Sequence, residues 1–230
     1  MAIVNGNILL VEGEADRGFF EQVCKLLQIA PEIHVAAPRD FDPKSRNGKQ
    51  AVLQQTTIIL KQFADSEAGN QRHLAVVIDA DYADERGLGF TETIRQFAEI
   101  VKQQGYEIDP INSNNGYIFK HTDGLPDIGL WIMPNNANDG MLEDWLKQSI
   151  HPDEQELFNY AQTIVSQLTP QKFKPIHQSK AEIATWLAWQ KQPGHGLYWA
   201  IKDQLLDVKQ PLYEALVNWL KLVYTPEINA

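Results

Sequence analysis

The chain has 230 residues, 43% of them hydrophobic, and carries a formal net charge of −10. This composition is typical of a globular fold and excludes a disordered chain, and the negative charge argues against a protein that coats nucleic acid non-specifically. The single cysteine excludes an internal disulfide framework, and no apolar run reaches the ~20 residues of a membrane span. No secretory leader pattern precedes the first predicted strand, so we expect a cytoplasmic protein without a membrane partner.

The first third of the chain alternates between short apolar runs and amphipathic segments. Apolar runs at residues 8–11, 33–37 and 74–78 predict strands, and apolar residues at helical spacing predict helices over 16–27 and 50–63. Such a β-α-β-α-β alternation is typical of a parallel sheet with helices on its faces.

The middle of the chain predicts a further helix and a hairpin. The helix runs from Thr91, its expected N-cap, to Gln104. Residues 117–119 and 128–133 are strand-like and flank a turn-rich segment, which predicts a β-hairpin at the edge of the sheet.

The last third of the chain is helical in pattern, with breaks at prolines. We therefore expect an α/β core over residues 1–150 and a helical C-terminal segment over residues 151–230 that packs on this core.

Acidic residues follow two of the predicted strands where each strand ends. Glu12 comes directly after the first strand with Asp16 one helical turn further on, and Asp79 and Asp81 come directly after the strand at 74–78. Ligand-binding groups of open α/β sheets lie beyond the carboxyl ends of the strands, so several like charges should meet there. A divalent cation with oxygen ligands would neutralise them most simply. The sequence therefore predicts a site for Mg²⁺ or Mn²⁺.

Two of these segments resemble a known domain. Residues 9–16 (LLVEGEAD) and 77–81 (VIDAD) are similar to the two signatures of the Toprim domain. Topoisomerases, bacterial primases, recombination-mediator proteins and the overcoming-lysogenisation-defect nucleases share this domain. The resemblance covers roughly residues 7–150 and implies a compact parallel sheet flanked by helices. It also implies a glutamate at the first strand end and an Asp-x-Asp pair that binds a divalent cation.

Further similarity is to the nuclease-like branch of single-domain Toprim proteins. It rests on Gly48 and Lys49 at the start of a helix, on the segment 139–144 (DGMLED), and on a downstream lysine. In that branch an added acidic residue completes a second metal site, and a lysine outside the core assists catalysis. The resemblance therefore implies five metal ligands and two catalytic residues. The metal ligands are Glu12, Asp16, Asp79, Asp81 and Glu143 (or Asp139), and the catalytic residues are Glu12 and Lys180 (or Lys191).

A lysine-rich strip covers residues 170–202, which contain five lysines and a single acid, Glu182. This strip is either a solvated face or a local anion-binding surface, and its tryptophans 186, 189 and 199 either stack on bases or belong to the core. The candidate nucleic-acid-binding residues are Lys49, Lys172, Lys174 and Lys191.

The resemblance and the acid pattern predict a metal-dependent phosphoryl-transfer protein, a nuclease-like phosphodiesterase that acts on DNA or RNA. A non-catalytic metal- or nucleotide-binding regulatory module with a Toprim fold is the alternative, because the chain is acidic and has no G-x-x-x-x-G-K-[ST] motif. A response-regulator receiver domain fits less well. Receivers carry two adjacent acids at the first strand end, whereas Gly13 follows Glu12 here.

Overall fold

The computed structural model describes residues 6–42, 44, 47–65, 72–85, 87–109 and 116–224. The strands are β1 (Ile8–Val11), β2 (Glu32–Val35), β3 (Leu74–Asp79), β4 (Tyr106–Ile108), β5 (Tyr117–His121) and β6 (Ile128–Met133). The helices are α1 (Glu14–Leu27), α2 (Gly48–Ala64), α3 (Gly89–Lys102), α4 (Leu142–Ser149), α5 (Gln155–Ser166), α6 (Gln178–Ala188), α7 (Tyr198–Lys202) and α8 (Pro211–Tyr224). Within the described residues, no helix is long and apolar enough to cross a membrane.

The six strands form one sheet in the order β2-β1-β3-β6-β5-β4. β2, β1, β3 and β6 are parallel, and β5 and β4 extend the sheet as antiparallel strands. This arrangement confirms the predicted α/β fold. The predicted hairpin is β5–β6, and the short strand β4 continues the sheet beyond it. The sequence did not predict β4 because only Tyr106 of its three residues is buried, which leaves no alternating pattern to detect.

Helices cover both faces of the sheet. Alternate residues of a strand point to opposite faces, so Leu9 and Val11 of β1 enter one core while Ile8 and Leu10 enter the other. The first core lies beneath α1 and the helices after residue 141, and the second lies beneath α2 and α3. Burial of the central strands on both faces explains their continuous apolar runs.

The C-terminal helix α8 packs directly on the central strands. The rings of Trp219 and Trp131 lie 5.6 Å apart, and the Tyr224 hydroxyl donates a 2.7 Å hydrogen bond to the Ile8 carbonyl. Gly129 of β6 permits this approach, because an added Cβ would collide with Val223. Residues from both sides of position 150 share this core, and the division of the chain into two parts stays a prediction.

Candidate metal centre

The ends of β1 and β3 meet at the carboxyl edge of the sheet because the two strands are neighbours. Glu12, the residue after β1, accepts a hydrogen bond from the Asp79 N–H through Oε1 at 2.8 Å. The start of α2 lies against the same side chain, since a Cβ added to Gly48 would lie only 3.0 Å from Glu12 Oε2. Glu12 therefore sits between three elements that are far apart in sequence.

Two more carboxylates reach this edge from the starts of helices. Asp79 Oδ1 accepts the N–H of Leu142, the first residue of α4, at 3.1 Å, and Glu143 follows it as a buried residue. Asp16 lies in the first turn of α1, where the backbone of Gly13 lowers the pKa of its carboxyl. We call Glu12, Asp16, Asp79, Asp81 and Glu143 the strand-end cluster.

Burial and mutual repulsion make the strand-end cluster hard to ionise. Burial raises the pKa of Glu12 to about 7, although the nearby Lys49 ammonium and the Asp79 N–H lower it. Burial and the charge of Glu143 raise the pKa of Asp16 to about 6. The pKa of Asp79 lies well above its usual range, because its carboxyl is buried and faces the other four acids. Such shifts show that negative charge at this edge is poorly compensated.

Lys49 lies inside this edge and not on the surface. Only 4% of its side chain is exposed, and its ammonium donates to the Ala80 carbonyl at 2.7 Å and pairs with Asp81 Oδ2 at 2.7 Å. This placement corrects the expectation that Lys49 contacts nucleic acid, because a buried ammonium that already pairs with a carboxylate does not face a phosphate backbone. Its role is to neutralise part of the strand-end cluster.

Asp81 lies beyond the end of β3 and does not continue its strand geometry. β3 ends at Asp79, and Asp81 has a left-handed backbone with φ of 59° while its N–H and C=O pair with Gly140. The alternation of a strand therefore does not hold across the two aspartates. Asp79 turns toward α4 and Asp81 toward Lys49.

Asp139, the alternative to Glu143, has a structural role in this fold. Its two carboxylate oxygens accept the N–H groups of Ala83 at 3.0 Å and Phe90 at 2.7 Å. Phe90 is the second residue of α3, so Asp139 caps this helix from a distant part of the chain. The expected N-cap Thr91 instead lies inside α3.

Lys180 lies at the rim of the strand-end cluster. It is exposed on the first turn of α6, and its positive charge lowers the pKa values of both Asp16 and Glu143. The charge of His177, in the turn before α6, lowers the pKa of Glu143 as well. The helix begins at Gln178, where a 3-10 turn over residues 175–177 leads directly into it.

A hydrogen-bond network behind the cluster was not predicted from the sequence. Asp144 accepts hydrogen bonds from the Tyr82 hydroxyl at 2.6 Å and from the Ser179 hydroxyl at 2.5 Å. Ser179 accepts in turn from Lys147, which forms a 2.7 Å ion pair with Glu182. The sequence singled out the acidic segment 139–144. It does not indicate that Asp144 bonds to Ser179, 35 residues further along the chain.

The other candidate lysines are exposed. Lys172 and Lys174 are exposed and precede the turn that carries His177. Lys191, the alternative to Lys180, follows the far end of α6, on the order of 15 Å along the helix axis from Lys180.

The tryptophans of the lysine-rich strip divide between core and surface. Trp186 is buried and Trp199 is 6% exposed, so neither offers a free ring to a base. Trp189 is 43% exposed.

The donor chemistry of the strand-end cluster fits Mg²⁺ or Mn²⁺, which prefer carboxylate oxygens. Its present arrangement is not that of a coordination shell. Among the described residues, no group of three or more His, Cys, Asp or Glu side chains is already placed to hold an ion. The contacts of these side chains explain this, since Glu12 and Asp79 each use an oxygen to accept a backbone N–H and Asp81 pairs with Lys49.

The fold and this edge define an α/β protein with a cluster of poorly compensated carboxylates at the carboxyl ends of its parallel strands. Residues 6–225 match the family described as a protein of unknown function (DUF3226), and the chain belongs to this family. No curated protein and no solved structure matches the chain.

Proposed function

We propose that the strand-end cluster binds Mg²⁺ or Mn²⁺ and that the protein is a Toprim-like, nuclease-like phosphodiesterase that acts on DNA or RNA. One observation carries this proposal: carboxylates from β1, α1, β3 and α4 converge and raise one another's pKa values. Among the described residues, Lys49, Lys180 and His177 lower the pKa values of these acids, so five carboxyl groups face two lysines and a histidine in this part of the chain. A divalent cation would remove this imbalance.

Glu12, Asp16, Asp79 and Glu143 would hold the ion, whereas Asp81 is the least available because it pairs with Lys49. An ion bound there would polarise a phosphoryl oxygen and lower the pKa of a bound water. The four residues supply the negative charge that binds the ion. Glu12 and Asp79 each accept a hydrogen bond from a backbone N–H, and these bonds keep their side chains at the strand ends.

Two residues have side chains suited to proton transfer and charge stabilisation. In the metal-free chain burial raises the pKa of Glu12 to about 7, and a bound ion would shift this equilibrium toward the carboxylate, which is the form that acts as a general base. The exposed ammonium of Lys180, next to Asp16 and Glu143, would stabilise the negative charge that develops on phosphate oxygens. Both roles agree with those that the Toprim resemblance implies.

Calorimetric titration with Mg²⁺ and with Mn²⁺ tests the metal site. We expect binding to the wild type and at least a tenfold weaker binding to Asp79→Asn, because this substitution replaces a carboxyl group that can ionise and bind the ion at the centre of the strand-end cluster by a neutral amide. Asp84→Asn is the matched control, since Asp84 is an exposed acid that follows the same strand. Equal binding to the wild type and to Asp79→Asn would remove the basis of the proposal.

A nicking assay with supercoiled plasmid and with single-stranded RNA, in the presence of Mn²⁺, tests the chemistry. We expect cleavage by the wild type and loss of cleavage in Glu12→Gln, which keeps the side-chain shape but cannot accept a proton. Cleavage that persists in Glu12→Gln would contradict the assignment.

The second candidate is a non-catalytic metal- or nucleotide-binding regulatory module with the same fold. The placement of Lys49 favours it, because an ammonium that already neutralises Asp81 is a structural feature and not a substrate contact. Metal binding without cleavage of any DNA or RNA substrate would support this candidate over the phosphodiesterase.

A further inference from the structure

A surface cavity lies at the end of α1 that is remote from the strand-end cluster. Its volume is about 810 Å³, and its walls come from the ends of α1 and α7, from His151 after α4, and from residues 206–209 with Tyr213 of α8. Asp16 and Lys25 lie at opposite ends of α1, roughly 14 Å apart along the helix axis. The cavity is therefore separate from the candidate metal centre, and its size suits a small-molecule ligand.

Positive charge surrounds this cavity, although the whole chain carries a net charge of −10. Lys25, Lys202 and Lys209 line it, whereas Asp207 is the one acid among its described lining residues. Asp207 already accepts the backbone N–H of Lys209 at 2.9 Å. Within the described part of the chain, none of the three lysine ammonium groups pairs with a carboxylate. Such a ring of unpaired lysines favours an anionic ligand, and phosphate is an anion that lysine commonly binds.

Gln28 and Gln204 line the cavity in a backbone conformation that glutamine rarely adopts. Their φ angles are 56° and 57°, and they follow the ends of α1 and α7. The same two hydrogen bonds close both turns. The glutamine N–H bonds to the carbonyl three residues earlier, and the next N–H bonds to the carbonyl five residues before it. This is the Schellman motif, in which glycine is the usual residue at the left-handed position.

Glycine would fit both turns without the strain that a side chain adds there. The other described non-glycine residues with positive φ are Asp81 and Asn136, and aspartate and asparagine adopt this conformation more readily than other side chains. Two glutamines held in such strained turns at one cavity point to a ligand that uses their amides. Gln22 brings a third amide to the same cavity.

Apolar side chains complete the lining. Ile201, Leu206 and Tyr213 are buried, whereas Leu26 and Val208 are 62% and 58% exposed. The ligand that matches this lining has a flat body with apolar faces, polar edges and an anionic group.

From these three features we propose that the cavity binds a free nucleoside monophosphate. The phosphate would lie among the lysines, the base edges would bond to the glutamine amides, and the base faces would contact the apolar side chains. An aliphatic anion fits less well, because the amides would lose water without gaining a partner. A nucleic-acid strand also fits less well, since the negative chain repels a polyanion. The inference does not depend on the metal site.

Calorimetric titration with AMP, GMP, CMP and UMP tests the proposal. A chelator in the buffer prevents a nucleotide from binding through a metal ion at the strand-end cluster. We expect at least one nucleotide to bind with micromolar affinity, and its nucleoside and inorganic phosphate to bind at least tenfold more weakly. Asp79→Asn should bind the nucleotide as tightly as the wild type does, which separates this test from that of the metal site. No binding of any of the four, or equally tight binding of inorganic phosphate or of the nucleoside, would overturn the proposal.

Variants of the lining locate the binding site. Lys202→Ala and Lys209→Ala should each weaken nucleotide binding at least tenfold, because each removes a charge from the phosphate. Lys102→Ala is the matched control, since Lys102 and Lys202 are both exposed lysines in the last turn of a helix. Nucleotide binding that is unchanged in both lining variants would place it elsewhere and overturn the proposal.

Gln204→Gly tests whether the strained turn serves the ligand. Because glycine relieves the strain, this substitution should raise the midpoint of thermal unfolding by about 2 °C, while nucleotide binding becomes at least threefold weaker. A merely structural glutamine would leave the affinity unchanged. That result, or a lower midpoint of unfolding, would contradict the role proposed for this amide.

Discussion

Ser179 donates a hydrogen bond to Asp144 with 2.5 Å between the two oxygens, and this bond joins α6 to α4. The neighbours of these two residues in sequence are Lys180 and Glu143, whose charges interact at the rim of the strand-end cluster. The Ser179–Asp144 bond therefore joins the helix that carries an exposed lysine to the helix that carries a buried glutamate.

Ser179→Ala should loosen this connection. Asp144 would lose one of its partners in a partly buried position, so we expect the free energy of unfolding to fall by about 1–2 kcal/mol in urea denaturation. Ser166→Ala is the matched control, because Ser166 is exposed and bonds only to a carbonyl three residues earlier in its own helix. If Ser166→Ala lowers the free energy of unfolding as much as Ser179→Ala does, the bond to Asp144 contributes no more than an exposed hydrogen bond within a helix.

The raised pKa values of the strand-end cluster predict how stability depends on pH. In the folded chain Glu12 has a pKa of about 7 and Asp16 of about 6, above the ordinary values of 4.5 and 3.8. At a pH between the ordinary and the raised pKa of each group, the folded state binds more protons than the unfolded state. The free energy of unfolding therefore falls as pH rises through this range. Glu12 alone accounts for roughly 3 kcal/mol of this loss between about pH 4.5 and about pH 7.

Urea denaturation in the presence of a chelator, repeated across this pH window, measures the effect. Glu12→Gln removes the titrating group, so its stability relative to the wild type should increase from pH 4.5 to pH 7 by about that amount. Saturating Mg²⁺ should oppose the loss in the wild type, because the ion favours the ionised carboxylates. A constant difference between wild type and Glu12→Gln would mean that Glu12 titrates normally.

The parts of this site that could be predicted from the sequence are those that local pattern and sheet topology determine. Glu12 and Asp79 follow apolar runs that end at the same edge of a parallel sheet, and this order alone brings them together. The sequence alone could not decide whether Asp139 or Glu143 is the fifth metal ligand, because both lie in one acidic segment. Only the fold shows which carboxylate faces the strand-end cluster. The burial of Lys49 could not be predicted from the sequence either, because it results from the packing of α2 against β3.

Lys49→Met should destabilise the fold by leaving Asp81 and the Ala80 carbonyl without their partner. Breaking a fully buried ion pair costs about 3–5 kcal/mol, and the cost here should be smaller, about 2 kcal/mol, because the Asp81 side chain is 37% exposed. Lys61→Met is the matched control on the exposed side of the same helix. The double variant Lys49→Met/Asp81→Asn should recover part of the loss in urea denaturation, whereas additive losses would mean that the two side chains do not interact.

Lys180→Ala separates a functional from a merely solvated lysine. Its ammonium lowers the pKa values of Asp16 and Glu143, so its removal should raise both, which carboxyl-selective NMR titration in metal-free buffer can measure. Because Lys180 is exposed, the free energy of unfolding should change by less than about 0.5 kcal/mol. The rate of the proposed phosphodiesterase reaction should be at least tenfold lower in Lys180→Ala, while its affinity for Mg²⁺ stays nearly the same. Lys191→Ala, at the far end of α6, should alter neither the pKa values nor the rate. Carboxyl pKa values that do not move in Lys180→Ala would place its ammonium outside the site.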